Sequence, residues 1–238
     1  MGHRVYFPDL SDHPAGAITV SGEEAHHALR VRRLEVGDAI EVLDGKGLVA
    51  HTRIQSTAKT RDGWSMALAI DRLEHVPRPV PSISVASSTP KGARIEDVVD
   101  GLSQVGASGW HPLLTRRTVV DPREGKLERL ERVAIEAMKQ CGRAWRLDLG
   151  PTQRFTDFLK SPGHVIMADA SGEPYAPTGA NDITLLIGPE GGWEQTEIDL
   201  ARSSGVTLAR FGPHIMRTEV AAVVAASHIV SAERRQPA

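Results

Sequence analysis

The chain has 238 residues, 40% hydrophobic and 24% charged, a balance that fits a folded domain and excludes collagen-like or wholly disordered chains. Aromatic residues make up only 4%, so the cores must be built mainly from Val, Leu, Ile and Ala. A formal net charge of −2 announces no nucleic-acid binder in bulk and leaves that role to local basic patches.

The opening decapeptide, MGHRVYFPDL, lacks the apolar core of a secretory signal. The longest apolar stretch, residues 220–230, is too short to span a bilayer. A cytoplasmic protein with no membrane segment is expected. Cys141 is the single cysteine, which forbids an internal disulfide and suits a reducing compartment.

Residues 4–7 read as a strand closed by Pro8. Residues 23–34 read as a helix, with Ser21 as its N-cap. Two alternating runs, 39–43 and 48–54, flank Asp44-Gly45-Lys46-Gly47, a strong hairpin signal. Residues 64–73 supply one more alternating strand. Residues 1–74 are therefore expected to form a small β-barrel carrying one helix. Residues 75–81 contain three prolines, the composition of a stiff linker.

Beyond that linker the pattern changes. Strand-like runs at 82–86, 110–114, 164–168, 184–187 and 206–211 alternate with helical runs at 95–105, 127–141 and 155–159. Two more helices follow, one stopping at Gly205 and one rich in alanine near the end. Alternation of this kind predicts an α/β domain with a mostly parallel sheet over 82–238.

The last two strand–turn–helix units carry the chemistry. The first strand ends in Gly188-Pro189-Glu190-Gly191-Gly192, the second in Gly212-Pro213-His214. Glycines at strand ends often cradle phosphate, but neither turn has the spacing of a dinucleotide or P-loop motif. No lysine follows, and the Glu190 and Glu194 carboxylates would repel a phosphate. The pattern favours a ligand with a cation, a ribose or an adenine edge. Ile215 and Met216 offer an apolar surface, and Thr218 is a natural capping residue. Arg217 opposes the dipole of the helix it precedes, which suggests that it serves an anionic partner.

Residues 185–199 and 211–225, LLIGPEGGWEQTEID and FGPHIMRTEVAAVVA, resemble the two C-terminal signature loops of the RsmE family. Lys91-Gly92, Gln140-Cys141-Gly142-Arg143 and residues 31–38, with Arg33 and Gly37, extend the resemblance over essentially the whole chain. It implies a SPOUT-class α/β domain with a trefoil knot and an N-terminal PUA-like β-barrel. It implies S-adenosylmethionine-dependent methylation of uridine N3 in 16S rRNA of the small ribosomal subunit, by a homodimer joined through the knot domain. Cofactor contacts would come from Leu186, Ile187, Gly188, Glu190, Gly192, Phe211, Gly212, Ile215 and Met216. Arg217 would stabilise or position the uridine anion, and Glu190 would act as base or orienter. Arg30, Arg33, Arg116 and Arg143 are the candidate RNA contacts. The segment 144–147, Ala-Trp-Arg-Leu, departs from the family's usual proline. His26 and His27 point in different directions on a helix, so no metal is expected. Two other readings are a SPOUT enzyme acting on tRNA or a ribose 2′-hydroxyl, and a non-catalytic RNA-binding assembly factor.

Overall fold

The structure is a computed structural model that describes residues 3–13, 16–61, 63–90, 94–118 and 124–234, with 124–126 described by backbone alone. Lys91, Gly92, Arg123 and the Lys126 side chain lie outside the described residues. The chain divides into two compact units, Met1–Arg78 with Met138–Arg146, and Pro79–Ala137 with Leu147–Ala238.

In the first unit, β1 (His3–Tyr6), β3 (Ala39–Leu43), β4 (Leu48–Thr60), β5 (Gly63–His75) and β2 (Ala17–Ser21) form a five-stranded sheet in that order. Only β1 and β3 pair in parallel. The expected hairpin is present, and Asp44 closes it: its Oδ1 accepts from the amides of Lys46 and Leu48 at 2.7 and 2.9 Å. Alternation places Val5, Ile18, Val20, Ile40, Val42 and Ile54 in one core. Each such side chain contributes about 1.5–3 kcal/mol on burial.

The helix expected over 23–34 is shorter. Regular helix α1 covers Glu23–His26 and passes into a π turn, His27–Val31. Ser21 ends β2 instead of capping, and Gly22, at φ 72°, holds the N-cap position. Segment 144–147 also has a defined path: Trp145 Nε1 donates to Val76 O at 2.9 Å, and Ala144 packs with Leu43, Val49 and Met138.

In the second unit the main sheet runs β12 (Thr207–Arg210), β10 (His164–Pro174), β11 (Asp182–Ile187), β6 (Ser82–Ser87), β7 (Gly109–Leu114) and β8 (Asp148–Leu149), with β9 (Gln153–Arg154) pairing with β7. Every pairing is parallel. Helices α2 (Arg94–Val105) and α6 (Thr218–Glu233) pack together on the sheet, and α4 (Phe155–Phe158), α5 (Gln195–Ser203) and the part of α3 (Glu124–Cys141) up to Ala137 complete the unit's helices among the described residues. Trp110 is fully buried because its one polar atom is satisfied: Nε1 donates to Ser87 Oγ at 2.8 Å.

β10 is longer than its sequence suggests. Its register to β12 breaks between Ala168 and Glu173, so that Asp169-Ala170-Ser171-Gly172 forms a bulge inside the strand. Parallel pairing brings the loops after Ala168, Ile187 and Arg210 to one edge of the sheet, the edge where open α/β sheets bind ligands. No helix among the described residues is long and apolar enough to cross a membrane.

Candidate functional site

Those three loops surround a cleft of about 340 Å³. Its lining takes in Ala168 to Ala170, Ile187 to Pro189 with Gly192 and Trp193, and Ala209 to Met216, with Ala221 and Ala225 of α6 beneath. The size is that of a small-molecule site, with an apolar floor and few polar groups. Ile187 and Phe211 are buried, and the two alanines let α6 pass close. Asp169, Arg210 and His214 supply the ionisable side chains of the wall.

Two contacts set the shape of the first signature loop. Trp193 Nε1 donates to Ala168 O at 2.9 Å, tying the loop to β10. The same indole covers Gly188, where a Cβ would lie 2.9 Å from the ring. Glycine is therefore required at 188 by side-chain packing. The second loop is held from behind. Phe211 stacks on Tyr175 with centroids 5.3 Å apart, and the Tyr175 hydroxyl donates to Glu233 Oε1 at 2.5 Å. Glu233 also accepts from the Thr178 hydroxyl and from the Thr178 and Gly179 amides. Burial raises the Glu233 carboxyl, but hydrogen bonds from the Thr178 amide, Tyr175, the Thr178 hydroxyl and Gly179 outweigh it and hold the group below its ordinary range. Burial, with the Glu233 carboxylate beside it, pushes the Tyr175 phenol up, so it remains a donor.

Of the residues expected to meet a cofactor, Ile187, Gly188, Gly192, Phe211, Gly212, Ile215 and Met216 all line this cleft. Leu186 and Glu190 are not in the lining. Leu186 points to the other face of β11, among Met167 and Trp193. Glu190 is half-exposed, and its Oε1 accepts from Arg94 Nη1 at 2.9 Å. Ile215 stands almost wholly in solvent at the rim, 94% exposed.

Thr218 is not the cap of α6. The N-cap is Arg217, in extended conformation, and the buried Thr218 hydroxyl donates to Gly188 O at 3.2 Å, linking the two signature loops. Arg217 is exposed, and among the described residues its side chain has no hydrogen-bond or ion-pair partner. Arg94 is the residue that sequence reading missed. A cation in the first turn of α2 opposes the helix dipole, the same signal that marked Arg217.

The RNA-contact candidates fall in both units. In the second, the Arg116 amide donates to Glu197 Oε1 at 3.0 Å, and its guanidinium is exposed 3.7 Å from Glu194. Its neighbour Arg117 donates to Gly191 O at 2.7 Å. In the first unit, Arg30 and Lys59 lie 5.7 and 5.5 Å from the Trp64 ring. Arg33, at φ 58°, is the single non-glycine residue with positive φ among the described residues. Arg143 is half-buried and engaged in a contact of its own.

Residues 77–230 match the family described as RNA methyltransferase domain, and residues 20–61 match RNA methyltransferase PUA domain. A Synechocystis sp. protein named ribosomal RNA small subunit methyltransferase E is 31% identical over 224 residues, covering 89% of this chain and 72% of the relative. The Bacillus subtilis protein of that name is 29% identical over 248 residues, covering 94% of each. A Legionella pneumophila protein described as a methyltransferase, solved with the bound cofactor SAM, superposes with a TM-score of 0.83 at 26% identity, covering 98% of both chains.

Proposed function

Since the chain belongs to the ribosomal RNA small subunit methyltransferase E family, we propose that it transfers a methyl group from S-adenosylmethionine to N3 of a uridine in 16S rRNA. The observation that carries this reading is the three-loop cleft, whose walls are the two signature loops and the β10 bulge.

The residues fit the cofactor. The apolar floor of Ile187, Phe211 and Met216 suits an adenine, and the loop backbone is open at Gly192, with nothing within 4 Å of a Cβ there, and at Gly212, where only Met216 Cε comes as near as 3.8 Å. The Asp169 carboxylate suits a ribose hydroxyl or an amine, and its Oδ1 is fixed by the Ser171 amide at 2.8 Å. When bound, S-adenosylmethionine supplies an electrophilic methyl on a sulfonium.

The protein's task is to make N3 nucleophilic. Neutral uridine holds a proton there, and its loss to water at the open rim of the cleft places negative charge on O2 and O4. Arg217, exposed and uncommitted beside Met216, stabilises that charge. Glu190, held by Arg94, orients the loop that faces the reacting atoms. Because N3 is hidden in a paired duplex, the uridine enters unpaired. Arg116, together with Arg30, Arg33 and Arg143, binds phosphates, which fixes register and leaves base choice to the cleft.

The protein acts as a homodimer joined through α6. What supports this is that Ile215, in the loop before α6, and Val220 and Val224 of α6 are 94%, 45% and 39% exposed.

The test uses small ribosomal subunits lacking the modification, purified protein and labelled methyl donor, with N3-methyluridine read by mass spectrometry. Wild-type protein is expected to label one uridine of 16S rRNA. Arg217→Ala should lower kcat about 100-fold or more while calorimetric affinity for S-adenosylmethionine stays unchanged. Labelling of tRNA or a ribose oxygen would overturn the substrate assignment. An Arg217→Ala enzyme at wild-type rate would overturn the role given to that residue.

A further inference from the structure

Beside the cleft stands a charge cluster of Arg94, Glu190 and Glu219. Arg94 opens α2. Its Nη1 is 2.9 Å from Oε1 of Glu190, in the turn after β11, and 3.6 Å from Oε1 of Glu219, in the first turn of α6. One guanidinium nitrogen thus faces both signature loops. Nothing local asks for an arginine there. The N-terminal dipole of α2 disfavours a cation, and Glu96 and Asp97 already provide the acids that suit its first turn.

Glu219 explains why the cation matters. Its side chain is only 12% exposed, and Oε2 is buried with no hydrogen-bond partner among the described residues. A nearly buried carboxylate with one orphaned oxygen is costly unless a cation stands close. Arg94 is that cation. One residue away, the Thr218 hydroxyl joins the same two loops through Gly188 O, a neutral link beside the charged one.

We propose that Arg94 is a positioning residue for the methyl donor: an electrostatic clamp that draws the Glu190 turn and the first turn of α6 together and so sets the width of the cleft. The proposal rests on the cofactor reading above. Without Arg94, the Glu190 and Glu219 carboxylates face one another with no charge between them, and their repulsion pushes the loops apart. A pair between exposed groups would count for little. The clamp works through Glu219, whose burial removes most of the screening.

Calorimetric titration of S-adenosylmethionine into wild-type and variant proteins tests the clamp, with thermal melts run beside it. Wild-type protein is expected to bind. Arg94→Ala should bind about tenfold more weakly, or worse, and should melt at a lower temperature because Glu219 is left without its cation. Arg94→Lys, which keeps the charge, should retain most of the affinity. Adding Glu219→Gln to Arg94→Ala should recover most of the loss, because a neutral amide removes the repulsion. A purely structural role for Arg94 predicts no such recovery, so a double variant as weak as the single one overturns the proposal. Arg94→Ala binding as tightly as wild type overturns it too. Should Arg94→Ala fail to fold, Arg94→Gln with and without Glu219→Gln carries the same comparison. A wild-type protein that takes up no S-adenosylmethionine overturns the cofactor reading, and the clamp falls with it.

Discussion

Glu233 shows how one side chain far along the chain can shape the cleft. It gathers four hydrogen bonds from Tyr175, Thr178 and Gly179, and Tyr175 in turn backs Phe211 in the cleft wall. Glu233→Gln leaves an amide NH2 facing donors, so the melting temperature should fall by about 2–4 °C. The effect has a pH signature. The folded-state carboxyl lies below its ordinary value of 4.5, so its contribution is fully present above that value and is lost as acid protonates it. Melts from neutral pH down through the carboxylate range should therefore show the wild type and Glu233→Gln converging in acid; a constant gap would mean that Glu233 acts only by packing. No local pattern in the sequence announces this cluster, because Tyr175 and Glu233 meet only through the fold. The position of Arg217 before α6 was legible in the sequence, whereas the partner of Glu190 was not, since Arg94 lies far away in sequence.

At the scale of elements, one close approach is that of β10 to β12. A Cβ on Gly172 would lie 2.6 Å from the backbone carbonyl of Leu208 and 2.7 Å from the Ala209 nitrogen. Backbone cannot yield as a side chain can, so Gly172→Ala must move a strand. A loss of about 1–3 kcal/mol in denaturant unfolding is expected, with weaker methyl-donor binding because Ala209 and Phe211 line the cleft. Gly191→Ala, whose Cβ would meet only the Arg117 side chain, no closer than 3.6 Å, should unfold like wild type; equal losses in both would refute the close-approach reading. Regular elements with a clear period were readable in advance. Helix α2 and the β3–β4 hairpin sit where hydrophobic spacing and Asp44-Gly45 put them. The π turn after α1 was not, because 23–34 keeps a helical period while the backbone changes its hydrogen-bond partner. Strand β2 was missed because its alternation spans only Ala17–Ser21, and the β10 bulge because its residues spell a turn. The cleft-lining turns were legible for a different reason. Glycines at strand ends must lie at the sheet edge in any parallel α/β unit, so sequence alone brings them together.

At the scale of the whole molecule, α6 raises the question of assembly. Most surface helices carry an apolar stripe toward the core and a polar face toward water. The α6 segment TEVAAVVAASHIVSAE is apolar nearly all round. Ala222, Ala225, Ala226 and Ile229 are buried against the sheet and α2, which accounts for one face. Val220 and Val224, four apart and so adjacent on the helix surface, remain 45% and 39% exposed. Ile215, in the loop before α6, is 94% exposed, so this segment presents three branched side chains to water. A second copy packed on this segment about a two-fold axis would cover these side chains in both subunits, since an isologous contact uses one surface twice. Sedimentation of the purified protein should therefore give a dimer. Replacing both Val220 and Val224 with Glu should yield a monomer, because like charges would meet across the axis and lose their hydration together. The folded subunit should survive, as neither side chain belongs to the core. Activity in the monomeric variant then separates two roles for the interface. Lost methyl-donor affinity would mean that the partner subunit braces the loop bearing Ile215. Affinity unchanged with lost transfer to the ribosomal subunit would place the partner's contribution on the RNA. A variant that still sediments as a dimer would refute assembly through this face.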